Sequence, residues 1–203
     1  MNIHEEPQGS PEWFAARSGK FTGSNFDKLF MGKSTKGYND LLNTVAFERL
    51  SGVVPESFET DWMARGKELE AEARKQYELE TFRRVRTVGF VSEDEWVGAS
   101  PDGLIDEDGI LEVKCPKHTT FMTYLLDPKK AYDEYMYQVQ GEMMVTGRHW
   151  ADLTIYYPGL APLIIRCGRD AEIINRIRGE LATAIEIVQS RIKCIETKWR
   201  GKT

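Results

Sequence analysis

The chain has 203 residues, with 27 Lys and Arg against 32 Asp and Glu, which gives a formal net charge of −5. Hydrophobic residues make up 41% and charged residues 29%, an ordinary globular balance that excludes disordered and collagen-like proteins. The sequence has no apolar run of roughly 20 residues and no apolar signal-peptide core near its start, and its three scattered cysteines form no C-x-x-C pair. We therefore expect a cytoplasmic protein with reduced cysteines and no membrane partner.

The first third of the sequence is predicted to be helical. Ser10 followed by Pro11 is typical of a helix start, and Gly52 is typical of a helix end. Four helices are predicted in chain order. The first begins after Ser10, and the second runs from Thr22 or Ser24 to Phe30. The third includes the apolar residues from 41 to 50, and the fourth spans residues 60–80.

The rest of the chain alternates between strands and helices. Strands are predicted at residues 85–91, 96–99, 104–105 and 110–113, and the last two form a hairpin around a polar loop that ends in Asp108-Gly109. Helices at about 119–126 and 129–146, strands at 151–157 and 163–167, and an amphipathic helix from 170 to about 198 follow. This order, without a linker or repeat, predicts one domain over residues 1–203 of the α/β (α+β) class, with a central mixed β-sheet flanked by helices.

Charge is distributed unevenly along the chain. Residues 166–203 hold nine basic and five acidic residues, a net of +4, which leaves 18 basic and 27 acidic residues, a net of −9, in the first 165. Such a protein can be acidic outside and still present a basic groove to phosphates. On charge alone, however, a solvated C-terminal helix is the commoner explanation.

The most informative pattern is a Pro-Asp followed ten residues later by Glu-x-Lys. Asp102 precedes one strand of the predicted hairpin, and Glu112 and Lys114 lie on the other. Because side chains alternate along a strand, Glu112 and Lys114 share a face, and the hairpin brings Asp102 beside Glu112. A plain turn at Asp102 and an ordinary ion pair between Glu112 and Lys114 would give the same local pattern.

The two carboxylates would share one site, where each raises the pKa of the other unless a cation lies between them. Oxygen ligands of this kind favour Mg²⁺ or Mn²⁺, which polarises a phosphoryl oxygen and lowers the pKa of a bound water. Lys114 could orient that water, or deprotonate it if its own pKa is depressed. The pattern therefore predicts metal-dependent phosphodiester chemistry.

Two helical segments extend the pattern. Glu70 lies on the helix before the strands, and Gln138 and Gln140 lie on a helix after the hairpin. An uncharged Gln beside a metal can hold water or phosphate without adding charge. Alternatively, Glu70 pairs with Arg74 on the surface, and the two glutamines are ordinary exposed helix residues.

Taken together, these segments resemble the phage lambda exonuclease/YqaJ-type viral recombinase nucleases, a branch of the PD-(D/E)xK superfamily. The matching stretches are residues 13–24, 65–77, 98–115 and 135–147, in the family's order. The resemblance implies a restriction-endonuclease-like core and a Mg²⁺-dependent 5′-to-3′ exonuclease, for which Mn²⁺ substitutes. Such an enzyme degrades linear double-stranded DNA to 5′-mononucleotides and leaves 3′ single-stranded tails for a phage-type annealing protein. It also implies a ring-shaped homotrimer and a phage or prophage origin in a bacterial cytoplasm.

The resemblance also assigns roles to individual residues. It implies Asp102 and Glu112 as metal ligands, with the Val113 carbonyl as a third ligand. The other implied catalytic residues are Glu70, which supports the metal site, Lys114, which positions or activates the attacking water, and Gln140, which lines the site with Gln138 as the second choice. The implied pocket for the 5′-phosphate consists of Arg17, Ser24 and Ser100, a guanidinium and two hydroxyls that suit phosphate oxygens.

Two other functions remain compatible with the sequence. Another PD-(D/E)xK endonuclease, for restriction or repair, would share Asp102, Glu112 and Lys114 without needing Arg17 and Ser24. A non-catalytic module that binds DNA ends would hold only a structural cation. As an alternative to the 5′-phosphate pocket, Arg17 would pair with Glu12 or Glu5, and the two serines would cap helices or turns.

Overall fold

The computed structural model describes residues 1–54 and 61–199, apart from the side chains of residues 61–64, 66 and 67. Within these ranges, nine strands form two mixed β-sheets. The strands are β1 (Asn2–His4), β2 (Phe21–Thr22), β3 (Val85–Arg86), β4 (Phe90–Ser92), β5 (Val97–Ala99), β6 (Gly103–Ile105), β7 (Gly109–Lys114), β8 (Trp150–Ile155) and β9 (Leu163–Gly168). The mixed α/β class predicted from the sequence is confirmed, although the strands divide between two sheets instead of one.

The two sheets differ in size and strand order. The smaller sheet has the order β1-β4-β5-β2, in which β2 is parallel to β5. The larger sheet has the order β3-β6-β7-β8-β9, and its central pair, β7 and β8, is parallel. The hairpin of β6 and β7 therefore lies inside the larger sheet, next to the parallel ladder of β7 and β8.

Six α-helices and a 3₁₀ helix over Gly23–Phe30 surround the sheets in the described part of the chain. The α-helices are α1 (Pro11–Arg17), α2 (Lys36–Ser51), α3 (Asp61–Thr81), α4 (His118–Leu126), α5 (Pro128–Thr146) and α6 (Ala171–Trp199). Ser10 caps α1 by accepting a hydrogen bond from the Trp13 backbone, as its sequence indicates. Gly52 and Gly147 end α2 and α5 in the left-handed conformation, with φ of 68° and 70°. Of the described helices, none is both long and apolar enough to cross a membrane.

One predicted strand is wrong in its extent. The alternating residues 85–91 read as a single strand, but β3 pairs with β6 in the larger sheet while β4 pairs with β1 and β5 in the smaller one. The chain passes from one sheet to the other at Gly89, whose N–H donates to the His4 carbonyl at 3.1 Å. A Cβ at position 89 would lie 1.9 Å from the Glu6 carbonyl oxygen, so this close approach requires glycine.

The two faces of β7 pack against different layers. Leu111 and Val113 belong to a small cluster with Ala73 and Tyr77 of α3. Ile110, on the other face, belongs to the main core with residues of α2, α5 and α6. Glu112 and Lys114 alternate onto the same face as Ile110, which is the side covered by α5. The fold thus places two charged side chains of β7 under a helix.

Candidate active site

The end of the β6–β7 hairpin brings Asp102 to β7. The ladder between these strands stops at the pair Gly103 and Leu111. One residue beyond it, the Asp102 carboxylate takes the place of a backbone partner and accepts a hydrogen bond from the Val113 N–H at 2.7 Å. Asp102 is only 8% exposed. Its carboxylate is therefore fixed against β7 by a backbone group and not by a flexible side chain.

Glu112 and Lys114 share a face of β7, as the strand alternation predicts. The Lys114 ammonium Nζ lies 2.7 Å from Glu112 Oε1 and 5.0 Å from the centre of the Tyr135 ring. Glu112 is 2% exposed, whereas Lys114 is partly open to solvent. The ion pair that the sequence offered as an alternative is therefore present. A catalytic role of Lys114 has to be compatible with this contact.

Helix α5 adds two side chains to this face. Gln138 Nε2 donates to Glu112 Oε1 at 2.5 Å and to Glu142 Oε1 at 3.0 Å. Glu142 is 1% exposed. When both groups are ionised, the second oxygens of Glu112 and Glu142, both Oε2, are buried without a hydrogen-bond donor, although a proton on either carboxyl group would let it bond the other. A single amide therefore holds two buried carboxyl groups side by side and leaves one oxygen of each unsatisfied.

The pKa values of these groups reflect their burial and mutual repulsion. Burial, reinforced by Glu142, raises the pKa of Glu112 to about 8, and burial raises the pKa of Glu142 to about 7. Burial, Glu112 and Glu70 raise the pKa of Asp102 well above its ordinary range. Burial alone would lower the pKa of Lys114, but Glu112 and Asp102 together raise it. Lys114 is thus an ammonium ion in this arrangement, and the carboxylates resist ionising together.

The donor set suits a hard divalent cation. Carboxylate oxygens are the ligands of Mg²⁺ and Mn²⁺, and the unsatisfied oxygens of Glu112 and Glu142 are the orphaned buried acceptors that such an ion would satisfy. Among the described residues, no three His, Cys, Asp or Glu side chains already form a closed metal cage. The residues fit a cation that keeps several waters, which is the usual manner of Mg²⁺.

A second group of polar side chains lies beside the carboxylates. Arg17 stacks on the Trp13 ring, with 4.0 Å from its guanidinium carbon to the ring centre, and donates to Thr22 Oγ1 at 3.3 Å. Thr22 Oγ1 lies 3.4 Å from Ser24 Oγ. Trp13 Nε1 lies 3.0 Å from Ser100 Oγ, to which it donates. One indole ring therefore links Arg17 and Ser100, and one hydroxyl links Arg17 and Ser24.

Arg17 carries its charge in a half-buried position. Burial lowers its pKa to about 10, while Glu48 and Glu142 oppose that shift, so the guanidinium remains charged at neutral pH. Glu5, one of the acidic partners considered for Arg17 from the sequence, pairs with Arg86 at 2.9 Å. A half-buried guanidinium close to the hydroxyls of Thr22 and Ser24 is chemistry that suits an anion such as phosphate.

One cavity of about 160 Å³ joins the two groups. On one side it is lined by Trp13, Arg17, Thr22, Gly23, Ser24 and Ser100. The rest of its lining comes from Gln8, Glu70, Asp102, Glu112, Val113, Lys114, Gln138 and Glu142. A larger groove of about 560 Å³ lies between α2 and α6, but its lining is mainly apolar and contains none of these residues. The polar cavity is therefore the candidate active site.

The structure corrects the assignment of Gln140. This residue is 0% exposed; its Nε2 donates to the Gly168 carbonyl at 2.8 Å, and its Oε1 accepts from the Asp170 N–H at 2.9 Å. Successive helix residues turn by about 100°, so positions 138 and 140 face nearly opposite sides of α5. Gln138, the second choice, faces the cavity. Sequence reasoning missed Glu142, although its position four residues after Gln138 puts it on the same face.

Comparisons with known proteins identify a family and similar folds. The model of the YqaJ-like viral recombinase domain family matches residues 12–149. An alkaline exonuclease, LHK-Exo from Laribacter hongkongensis, is 30% identical over 96% of this chain and 100% of its own, with a TM-score of 0.87. The structure of LHK-Exo in complex with dAMP gives a TM-score of 0.88. A phage related exonuclease from Haemophilus somnus 129PT shares the fold at 18% identity, over 90% of this chain and 99% of its own, with a TM-score of 0.71. No curated protein matches the chain.

Proposed function

The chain belongs to the YqaJ-like viral recombinase domain family and is a nuclease that acts on DNA in recombination, and from this premise we propose that it is a 5′-to-3′ exonuclease. Its substrate is the end of linear double-stranded DNA, and its products are 5′-mononucleotides and a 3′ single-stranded tail. The observation that carries the proposal is the shared cavity, which places a cationic hydroxyl-lined pocket next to a cluster of buried carboxylates.

The pocket around Arg17 binds the terminal 5′-phosphate. The guanidinium offers parallel N–H donors to phosphate oxygens, and the hydroxyls of Ser24 and Ser100 donate to others. Stacking on Trp13 holds the guanidinium plane in one orientation, which reduces the entropy lost on binding. The relative LHK-Exo has been crystallised with dAMP, a nucleoside monophosphate, and this pocket suits a group of that kind.

Asp102, Glu112 and the Val113 carbonyl hold a divalent cation, Mg²⁺ with Mn²⁺ as a substitute, and Glu70 supports them from α3. When bound, such a cation polarises the scissile phosphate and lowers the pKa of a coordinated water. The Val113 N–H bond to Asp102 orients that carboxylate before substrate arrives. Burial of Asp102 and Glu112 excludes bulk water, so their charges act in a low dielectric.

Lys114 acts as a charged hydrogen-bond donor. The negative charges of Glu112 and Asp102 raise the pKa of Lys114. Its side chain is therefore an ammonium group that donates hydrogen bonds and cannot accept a proton. From its contact with Glu112 it reaches the cavity, where it can orient the attacking water and balance negative charge that develops on the phosphate. Gln138 holds Glu112 in place through an uncharged amide.

The partners of this activity are a single-strand annealing protein, which receives the 3′ tail, and two further copies of the chain in a ring that encircles the DNA. Neither partner changes the chemistry within the cavity. A ring would add processivity, because the enzyme could not leave the duplex sideways.

The experiment that tests the proposal compares two ends of the same duplex. Linear DNA with a 5′-phosphate should be degraded faster than the same DNA with a 5′-hydroxyl, and Arg17→Ala should remove most of the difference. One charge-assisted contact of about 1.5–3 kcal/mol is lost in that variant, which corresponds to roughly 10-fold to 150-fold in binding. Arg86→Ala is the matched control, because Arg86 is an exposed arginine paired with Glu5.

Four outcomes would count against parts of the proposal. Equal rates on both ends would reject the phosphate pocket, as would an unchanged preference in Arg17→Ala. Release of label first from the 3′ end would reject the direction. Cleavage of covalently closed circular DNA at a comparable rate would favour the endonuclease alternative.

A further inference from the structure

Glu142 has no part in the proposed function, yet it lines the cavity. It shares the Gln138 amide with Glu112, and it lines the cavity together with Arg17 and Lys114. Burying a carboxylate is costly unless its oxygens find partners. Its Oε1 has Gln138, but in the ionised form its Oε2 is buried without a donor, and either a proton shared with Glu112 or a cation would satisfy it.

The unsatisfied oxygen of Glu142 has a counterpart on β7. Glu112 Oε2 is also buried without a partner, and Glu112 is held on the same amide through Oε1. Gln138 therefore fixes both carboxyl groups by one oxygen each and leaves the other oxygen of each group available. Two available carboxylate oxygens on adjacent groups are a pair of ligands for a hard cation.

The 3₁₀ helix is built to admit the Glu142 side chain. A Cβ at Gly23 would lie 3.0 Å from Glu142 Cγ and 3.1 Å from Oε1, closer than ordinary packing allows. Gly23 sits between Thr22 and Ser24 of the phosphate pocket. The absence of a side chain at Gly23 thus lets Glu142 lie between the phosphate pocket and Glu112.

We propose that Glu142 is a further ligand of the divalent cation, which it binds together with Glu112 through their unsatisfied Oε2 oxygens. The inference rests on the proposed function, in which Asp102, Glu112 and the Val113 carbonyl hold the same ion or a neighbouring one. It adds a ligand from α5 on the side of the phosphate pocket. An extra anionic ligand increases the affinity for the cation, since affinity follows the charge count of the ligands.

Cation binding without DNA tests the inference. Isothermal titration of the full chain with Mn²⁺ would compare the wild type, Glu142→Gln and Glu134→Gln. Gln keeps the shape of Glu142 and removes its charge, and we expect its Mn²⁺ affinity to fall about 10-fold or more. Glu134 lies on the same helix but does not line the cavity, and its carboxylate accepts a hydrogen bond from the Tyr124 hydroxyl. Glu134→Gln should therefore bind Mn²⁺ as the wild type does.

Thermal unfolding separates a ligand role from a merely structural one. In EDTA, Glu142→Gln should unfold at a temperature equal to or above that of the wild type, because a buried charge next to Glu112 is removed. In Mn²⁺, its gain in unfolding temperature should be smaller than that of the wild type. A variant that is less stable in EDTA and gains as much from Mn²⁺ would show a packing role and overturn the inference.

A second variant displaces Glu142 without changing it. Gly23→Ala pushes its side chain by a few tenths of an ångström, so the affinity for Mn²⁺ should fall although every ligand is present. Gly179→Ala is the control, because a Cβ there meets no atom within 4 Å. Unchanged Mn²⁺ affinity in both Gly23→Ala and Glu142→Gln would overturn the inference.

The inference and the proposed function can fail separately. If the wild type binds Mn²⁺ and prefers a 5′-phosphate, while Glu142→Gln binds Mn²⁺ equally well, only the inference fails. If Glu142→Gln loses affinity but both DNA ends are degraded equally, the inference stands and the phosphate pocket fails. If the wild type binds no Mn²⁺, both the cation-dependent function and the inference are overturned.

Discussion

The surroundings of Lys114, and not its sequence motif, set it apart from other lysines of the chain. An isolated Glu-x-Lys is common, and this chain has a second one at Glu196 and Lys198 near the end of α6. What distinguishes Lys114 is its contact with a buried carboxylate at 2.7 Å and its place in a polar cavity. Sequence spacing alone predicts that Glu112 and Lys114 share a face of the strand. That α5 covers this face is visible only in the structure.

Lys114→Ala should keep cation binding and DNA binding but lower the cleavage rate on the order of 10² or more, because a positioned donor is lost. Lys117→Ala, three residues further on and exposed, is the control and should cut normally. Asp102→Ala should lose both cation affinity and cleavage. Single-turnover rates in Mg²⁺ and DNA binding in Ca²⁺ provide the measurement. Near-normal cleavage by Lys114→Ala would reduce Lys114 to a structural ion-pair partner.

The raised pKa values of Glu112 and Glu142 predict how stability depends on pH without a divalent cation. Between the ordinary glutamate pKa of 4.5 and the folded values of about 8 and about 7, the native state binds more protons than the unfolded state. The stability supplied by this difference is fully present below the ordinary pKa and is lost as the pH rises through the folded values. In EDTA, the unfolding temperature should therefore fall from about pH 6 to about pH 8.5.

Mg²⁺ should reverse that loss, and its stabilising effect should be larger at the higher pH, because the ligands must be deprotonated. Thermal unfolding at both pH values, with EDTA or with Mg²⁺, measures the effect. An unfolding temperature in EDTA that stays constant or rises over this range would contradict the assignment.

The two faces of helix α5 have different roles. Gln138 faces the cavity, while Gln140 joins α5 to the end of β9 and the start of α6. A repeated Gln-x-Gln gives no indication of which residue faces the site. The choice is made by the packing of α5 across β7, which the sequence does not reveal.

The two glutamines should therefore respond differently to the same change. Gln140→Ala leaves the Gly168 carbonyl and the Asp170 N–H without partners and should destabilise the protein by about 1–3 kcal/mol, with normal activity in the folded fraction. Gln138→Ala removes the donor to Glu142 Oε1 and should also cost some stability, but it should in addition lower the cleavage rate of the folded fraction, which Gln140→Ala should not. Denaturant unfolding and cleavage rates of both variants test this assignment, and the reverse pattern would restore Gln140 to the site.

Strand prediction succeeded where the signals are local. The Asp-Gly turn fixed the β6–β7 hairpin in advance, and the alternation of Glu112 and Lys114 followed from it. The interval 85–91 could not be divided from the sequence, because alternation has the same period in both sheets. Only the close approach of Gly89 to the N-terminal segment separates β3 from β4. Residue 60, where the predicted helix over residues 60–80 begins, lies outside the described residues.

At the scale of the whole molecule, the open question is the number of subunits. A closed ring buries two different surfaces of every subunit, and the sequence does not indicate which residues these are. Sedimentation equilibrium at micromolar protein should give three times 23.3 kDa if the ring forms. A monomer at that concentration would remove the ring and, with it, the physical basis for processive degradation.

The passage between the two sheets has a consequence for the length of the product. Ser100 follows the smaller sheet and is held by the Trp13 indole, whereas Asp102 precedes the larger sheet and is held by the Val113 N–H. Two residues of extended chain separate their Cα atoms by at most about 7 Å, a length comparable to the spacing of successive phosphates along a strand. In the proposed function, Ser100 contacts the 5′-phosphate and Asp102 contacts the cation, so this short link would hold the two sites about one nucleotide apart. Because the link is covalent, we expect variants that loosen the core to slow the enzyme without lengthening the fragments it releases.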